Sequence, residues 1–300
     1  MTTKVALVIG SSRGIGRQLA VDLASQGYIV VLSAKSTSDA TKCDPFPPDP
    51  NSPSSTINTV AREITENGGR ATAIAADVRD GASITSLVTQ TITLHGRLDV
   101  LVYNSGAIWW DSVAQTPAKR FKLMQQVNPE GLYICVQKCL PHLYNTSGRL
   151  VVVSPPIYSR FLRGKTAYAM GKWGMSALTM GLAMDFVREG REGMAITSLW
   201  PAVAIESAAT KVHLSEEDKK DLRKATIFSH AVLEILRAPA AEVNGRCLLD
   251  EDYLREKGVR DFGKYSLVPG TVPRRIMPES LPDLSVKEQD DEGRRMTSKI

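Results

Sequence analysis

The feature that most restricts this chain is an alternation. Short β-branched apolar runs recur, each followed by a turn and then by a segment with apolar residues at helical spacing. Residues 4–9 (KVALVI) open the pattern. Residues 14–26 carry Ile15, Leu19, Ala20 and Leu23 on one face, and Gly27 stops them. Residues 28–34 (YIVVLSA) are a second apolar run, so the first 35 residues spell strand, glycine turn, helix, strand. The same reading places helices over 57–67, 84–95, 121–143 (kinked or broken by Pro129), 168–188 and most of 215–236. Strands fall at 71–75, 100–103, 150–153, 195–199 and 246–249. Runs so uniformly apolar suit strands buried on both faces, as in a parallel sheet. The fold class predicted is α/β: a doubly wound parallel sheet with helices on both faces and ligands at the C-terminal strand ends.

Composition narrows the functional classes. Of 300 residues 43% are hydrophobic, enough for one large core. No apolar run approaches the ~20 residues of a membrane helix, and MTTKVALVIG has no signal-peptide architecture. No membrane association and a cytoplasmic location are expected. The net charge of +5 is spread too evenly for a nucleic-acid partner. Cys43, Cys135, Cys139 and Cys247 form no C-x-x-C pair, and the histidines at 95, 142, 213 and 230 show no metal-binding spacing, so no metal is expected. Residues 1–264 read as one domain. Within it, 36–56 hold Pro45, Pro47, Pro48, Pro50 and Pro53, which exclude helix or central strand. An exposed loop is expected there, with a lid over the ligand as the alternative. Residues 265–300, rich in proline and charge, read as an extended flexible tail.

Gly10-Ser11-Ser12-Arg13-Gly14-Ile15-Gly16 lies between the first strand and the first helix. Glycines there allow a tight turn and bring backbone N–H groups to a pyrophosphate at a helix N-terminus, which makes the domain Rossmann-type and a dinucleotide the expected ligand. The second strand ends Ser33-Ala34-Lys35, with no acid to bind a ribose 2′-hydroxyl. Arg13 and Lys35 can both approach an added phosphate, so NADP(H) is the expected cofactor. Further on, Tyr168 and Lys172 stand i,i+4 on one helix face. An ammonium there is expected to lower the tyrosine pKa toward a working value for proton transfer.

Together these residues resemble the short-chain dehydrogenase/reductase family over about residues 4–250. The resemblance is carried by GSSRGIG, Asp77-Val78, Asn104-Ser105-Gly106 (an altered form of the family's N-N-A-G), Asn128 and Tyr168/Lys172. The lysine-ended second strand with its proline insert, the Ser-Pro-Pro turn and the Leu-Trp-Pro strand end are similar to the hydroxysteroid dehydrogenase-like branch and its fungal secondary-metabolism members. The resemblance implies that Tyr168 is the general acid, that Lys172 lowers its pKa and bonds the nicotinamide ribose, and that Asn128 holds a proton-relay water. It also implies that Asp77 and Val78 contact adenine and that Asn104 and Gly106 lie along the cofactor.

Two departures stand out. The family serine that orients the substrate oxygen falls on Pro155 by strand register, with Ser154 one position earlier as its candidate replacement. The family's Pro-Gly after the sixth strand is Pro201-Ala202, and a threonine usual shortly after is missing from Val203-Ala204-Ile205, so Ala202 and Ile205 would contact the nicotinamide through backbone alone. Trp109, Trp110, Tyr158, Phe161 and Trp200 fall at the strand-end face and predict a bulky apolar substrate. The expected activity is NADPH-dependent reduction of a carbonyl or imine of such a compound. The alternative is the same fold repurposed for non-redox cyclisation. The resemblance also implies a homodimer or homotetramer, through helices 121–143 and 168–188 with Met175, Leu178, Leu182 and Phe186 as apolar surface. The terminal Ser298-Lys299-Ile300 is one side chain away from a peroxisomal address and makes that compartment the alternative location.

Overall fold

The computed structural model describes residues 3–158, 162, 164–208, 210 and 215–280. Among them, seven strands form one sheet in the order β3-β2-β1-β4-β5-β6-β7, every neighbouring pair parallel. The strands are β1 Val5–Ile9, β2 Ile29–Ser33, β3 Arg70–Ala73, β4 Val100–Tyr103, β5 Arg149–Val153, β6 Ala195–Trp200 and β7 Cys247–Leu249. Alternate residues of each strand point to opposite faces. Ala6, Val8, Val30 and Val102 pack with α1 (Gly14–Ser25), α2 (Ile57–Glu66) and α8 (Thr226–Arg237). Val5, Leu7, Leu101 and Val152 pack with α3 (Gly81–His95), α5 (Gly131–Tyr144) and α6 (Thr166–Arg188). The strand order reverses between β1 and β4, and that switch point opens the crevice used for ligands in such sheets.

Two predicted helices divide. The helix expected over 121–143 divides into α4 (Ala118–Gln125) and α5, joined by a π-helical turn at Gln126–Glu130. Pro129 has no N–H to give to the carbonyl four residues back, and the widened turn absorbs the defect. The helix expected over 215–236 divides into α7 (Glu216–Lys219) and α8. Between them Arg223 forms bridges to Ile205 and Ser266, which pulls the backbone out of helical shape. The expected interface residues Met175, Leu182 and Phe186 are buried in the core. The large exposed apolar side chains on α5 and α6 are Tyr133, Met170 and Val187.

The proline insert is not a free loop. Gly14 N–H donates to Pro50 O at 3.0 Å. Ser55 Oγ donates to Ser12 O at 2.6 Å. Asn51, Ser55 and Thr56 are buried, and the Arg62 guanidinium stacks over Phe46 at 3.8 Å. Up to residue 280 the C-terminal segment is anchored as well. Ser266 and Met277 are buried, and Arg275 pairs with Asp252 on α10 (Asp250–Glu256) at 2.7 and 2.8 Å. Phe161, His213 and Ser298-Lys299-Ile300 lie outside the described residues.

Candidate active site

A cleft of about 580 Å³ opens at the switch point. Its walls include Gly10, Ser12, Arg13, Gly14 and Ile15 from the glycine loop, Lys35 after β2, Asp77 and Val78 after β3, and Asn104 and Gly106 after β4. Ten of the predicted cofactor residues therefore converge on one space. Gly10 has φ +85, and a Cβ on it would lie 2.7 Å from Ser105 N, so the β1 and β4 turns approach at a distance only glycine allows. Ser11 and Gly16 support the cleft from behind. Ser11 N–H donates to Ser33 O at 3.2 Å, and a Cβ on Gly16 would fall 2.1 Å from Gly10 O. Asn104 Nδ2 donates to Gly10 O at 2.8 Å, which fixes the β4 turn to the glycine loop.

One rim of the cleft is cationic. Arg13 reaches Ser36 Oγ at 3.3 Å, Lys35 Nζ lies 3.2 Å from Asp77 Oδ2, and Arg79 grips the Asp77 carboxylate with Nε and Nη2. Arg79, whose hydrogen bonds come first among the causes, holds the Asp77 carboxyl well below its usual range. Arg79 and Ser207 both line the cleft, and sequence reasoning missed them. Arg79 lies two residues beyond Asp77 in the same turn. Ser207 lies just past the stretch searched for a hydroxyl, and its Cβ is 3.7 Å from where a Gly14 side chain would begin. A set of backbone turns that a Cβ would fill fits a dinucleotide.

Tyr168, Lys172, Asn128 and Ser154 are buried next to this space. Lys172 Nζ donates to Val153 O at 2.7 Å. The Asn128 carboxamide accepts from Ala107 N at 2.8 Å and donates to Ala107 O at 3.1 Å, so the side chain is engaged by the β4 turn. Ser176 Oγ lies 2.6 Å from Pro155 O and 3.0 Å from Ser154 Oγ. Ser176 is the donor in both contacts, so Ser154 Oγ accepts. Its hydroxyl is turned to α6. Tyr168 packs with Met124 and Ala167, against which Trp109, Phe121 and Trp200 also pack, and Trp110 meets its ring edge-on at 6.5 Å.

The expected electrostatics of the pair are corrected here. Burial pushes the Tyr168 phenol well above its ordinary value and the Lys172 ammonium down to about 7. Desolvation penalises the charged form of each. Ala202, expected at the nicotinamide, has its N–H held by Asp250 Oδ1 at 2.8 Å, while its carbonyl accepts from Ile276 N at 2.9 Å. Ile205 is buried and bridges to Arg223.

Residues 51–217 match the sequence profile of the short chain dehydrogenase family. The chain belongs to the short-chain dehydrogenase family. It is 35% identical over 266 residues to hydroxysteroid dehydrogenase-like protein 2 of Danio rerio, with 88% of this chain aligned. The chain spans 60% of that relative's length. Among solved structures, a putative dehydrogenase from Xanthomonas campestris superposes with a TM-score of 0.78 at 32% identity, over 96% of this chain and 99% of that one. An alcohol dehydrogenase from Thermococcus sibiricus, complexed with 5-hydroxy-NADP, shares the fold at 23% identity and a TM-score of 0.67, over 82% of this chain and 95% of its own. Short-chain dehydrogenases use nicotinamide cofactors, and the glycine-built cleft of this one fits that group. Among the described residues no cluster of three or more His, Cys, Asp or Glu is placed to hold a metal, and no helix is long and apolar enough to cross a membrane.

Proposed function

We propose that this short-chain dehydrogenase is an NADPH-dependent reductase of a carbonyl or imine in a bulky apolar compound, of the kind made in secondary metabolism. The observation that carries the reading is the Tyr168 ring, enclosed by Trp109, Phe121, Met124 and Trp200 beside a cleft with a cationic rim. Arg13, Lys35 and Arg79 would hold the 2′-phosphate, and Ser12, Ile15 and Ser207 the pyrophosphate. The bound cofactor supplies the hydride. Tyr168 gives the proton to the substrate oxygen or nitrogen. Its raised pKa keeps the phenol protonated at neutral pH, the form needed for reduction. Lys172, held at Val153 O beside Gly106, would bond the nicotinamide ribose. The aromatic wall excludes water and favours flat or polycyclic substrates.

NADPH consumption across a panel of bulky ketones and imines tests the activity. Dissociation constants for NADPH and NADH test the preference. A charge-assisted phosphate contact is worth roughly 1.5–3 kcal/mol, about tenfold or more in affinity, and Lys35→Ala should narrow the gap. Equal or tighter NADH binding would reject NADPH. One observation favours a second reading, non-redox cyclisation: Ser154 faces Ser176 and Pro155 occupies the family serine position. Product formed without NADPH oxidation would establish it. We also propose a homodimer or homotetramer with Met170 and Val187 of α6 at the interface, tested by light scattering at micromolar concentration. For location we propose the cytosol, with import into peroxisomes through Ser298-Lys299-Ile300 as the alternative. An N-terminal fluorescent fusion with and without those three residues separates them.

A further inference from the structure

The chain returns to the active site after its last strand. Ala202, in the turn after β6, is held from two sides. Asp250 Oδ1 takes its N–H at 2.8 Å, and its carbonyl accepts from Ile276 N at 2.9 Å and Met277 N at 3.2 Å. Val203 and Arg275 form an antiparallel bridge. The Arg275 guanidinium makes the return path rigid. It pairs twice with Asp252 on α10, at 2.7 and 2.8 Å, and donates to Met277 O at 3.2 Å and Pro278 O at 3.1 Å. The strand of chain it organises closes onto an apolar cluster. Met277 is 4% exposed and buried with Ala202 and Leu249, and Tyr158 and Trp200 pack on that cluster. Trp200 also packs on the Tyr168 cluster and stands 5.5 Å from Lys172 Nζ. A continuous line of contacts therefore runs from Asp252 through Arg275 and Met277 to Trp200 and the catalytic pair.

We propose that residues 275–277 form a strap with two tasks: Arg275 is a positioning residue for the 202–205 turn, which leads directly into Ser207 and Ala208 of the cofactor cleft, and Met277 sets the size of the substrate pocket by backing Trp200. The second task rests on the reading of Tyr168 and its aromatic wall as the substrate end; the first does not. An arginine suits the role because its planar fork serves a carboxylate and two backbone carbonyls at once, which a lysine cannot do. A methionine suits the backing position because it fills the gap behind an indole without fixing it.

The test uses the full-length protein carrying Arg275→Ala, Arg275→Lys, Met277→Ala or Met277→Leu. Melting temperatures identify which variants are folded. The Leu and Lys variants keep volume or charge, so a folded protein is available at each position. Fluorescence titration of NADPH reads the first task. Arg275→Ala should weaken NADPH by about tenfold, with Arg275→Lys between it and the parent. The second task is read from kcat/KM for a small and a bulky ketone. Met277→Ala lets Trp200 retreat and should shift the ratio toward the bulky ketone by about fivefold, mainly through KM, with NADPH affinity unchanged. Met277→Leu should restore the parental ratio. Unchanged NADPH affinity in folded Arg275 variants overturns the positioning role. An unchanged substrate ratio in folded Met277→Ala overturns the pocket role. If no ketone is turned over by any form, the reductase reading and the pocket role fall together, and the titration still decides the positioning role.

Discussion

Asp250 is a buried acid whose two oxygens have different fates. Oδ1 accepts the N–H groups of Ala202 at 2.8 Å and Glu251 at 2.7 Å, and Oδ2 is buried with no hydrogen-bond partner among the described residues. Burial, the largest cause, and then the neighbouring Glu251 carboxylate raise its pKa from 3.8 to about 7, against the pull of its two backbone N–H groups and of Arg223. The unfolded chain loses this proton near pH 4, while the folded protein keeps it until about pH 7. Between those values the folded state binds more protons, so its stability falls as pH rises through the interval and levels off above it. A rise from 3.8 to about 7 corresponds to at most about 4 kcal/mol across the interval, at about 1.4 kcal/mol per unit. Asp250→Asn retains the Oδ1 acceptor and removes the titration. Urea unfolding of both proteins from pH 4.5 to 8.5 isolates the effect, because other titrating groups cancel in the difference. The variant should gain on the parent as pH rises and should exceed it in stability by a few kcal/mol at pH 8. A difference that stays flat across the range would refute the reasoning.

Tyr168→Phe should reduce turnover by at least about 100-fold while leaving the NADPH dissociation constant within about threefold, since it removes a proton donor and keeps the ring. Ser154→Ala should cost about 1 kcal/mol of stability, because its oxygen accepts from Ser176; a kcat loss near 100-fold would show that its proton serves the substrate oxygen, and a change below about threefold that it does not. Gly16→Ala should be strongly destabilising, by about 3 kcal/mol or more in urea unfolding, because its Cβ would sit 2.1 Å from Gly10 O and 2.5 Å from Asn104 Nδ2.

Short-range pattern made most of the sheet legible. β1 and β4 are apolar runs that end at Gly10 and Asn104, β2 is one that begins just after Gly27, and local spacing is enough to find them. The glycine loop and the Tyr168/Lys172 pair were legible for the same reason. What escaped depends on contacts far along the chain. Nothing local in Pro50 or Ser55 tells that they bond Gly14 and Ser12. Nothing local in Arg275 tells that it meets Asp252, and the charged, proline-rich composition around it points the wrong way. The Tyr168 and Lys172 shifts escaped for another reason. An i,i+4 spacing reports proximity, but not the depth of burial that decides which electrostatic effect prevails.

The contact of the proline insert with the glycine loop bears on any redesign of cofactor choice. Exchanging the residues after β2 for those of another short-chain dehydrogenase treats that loop as a cassette. Here the cassette is larger: Pro50 holds the Gly14 amide and Ser55 holds the Ser12 carbonyl, so the path of the glycine loop is set partly by chain well downstream of Ser33, out to Ser55. A graft that ends at Lys35 would import the donor's charges onto this protein's backbone. One that runs from Ser33 through Thr56 would import the charges together with the backbone that presents them.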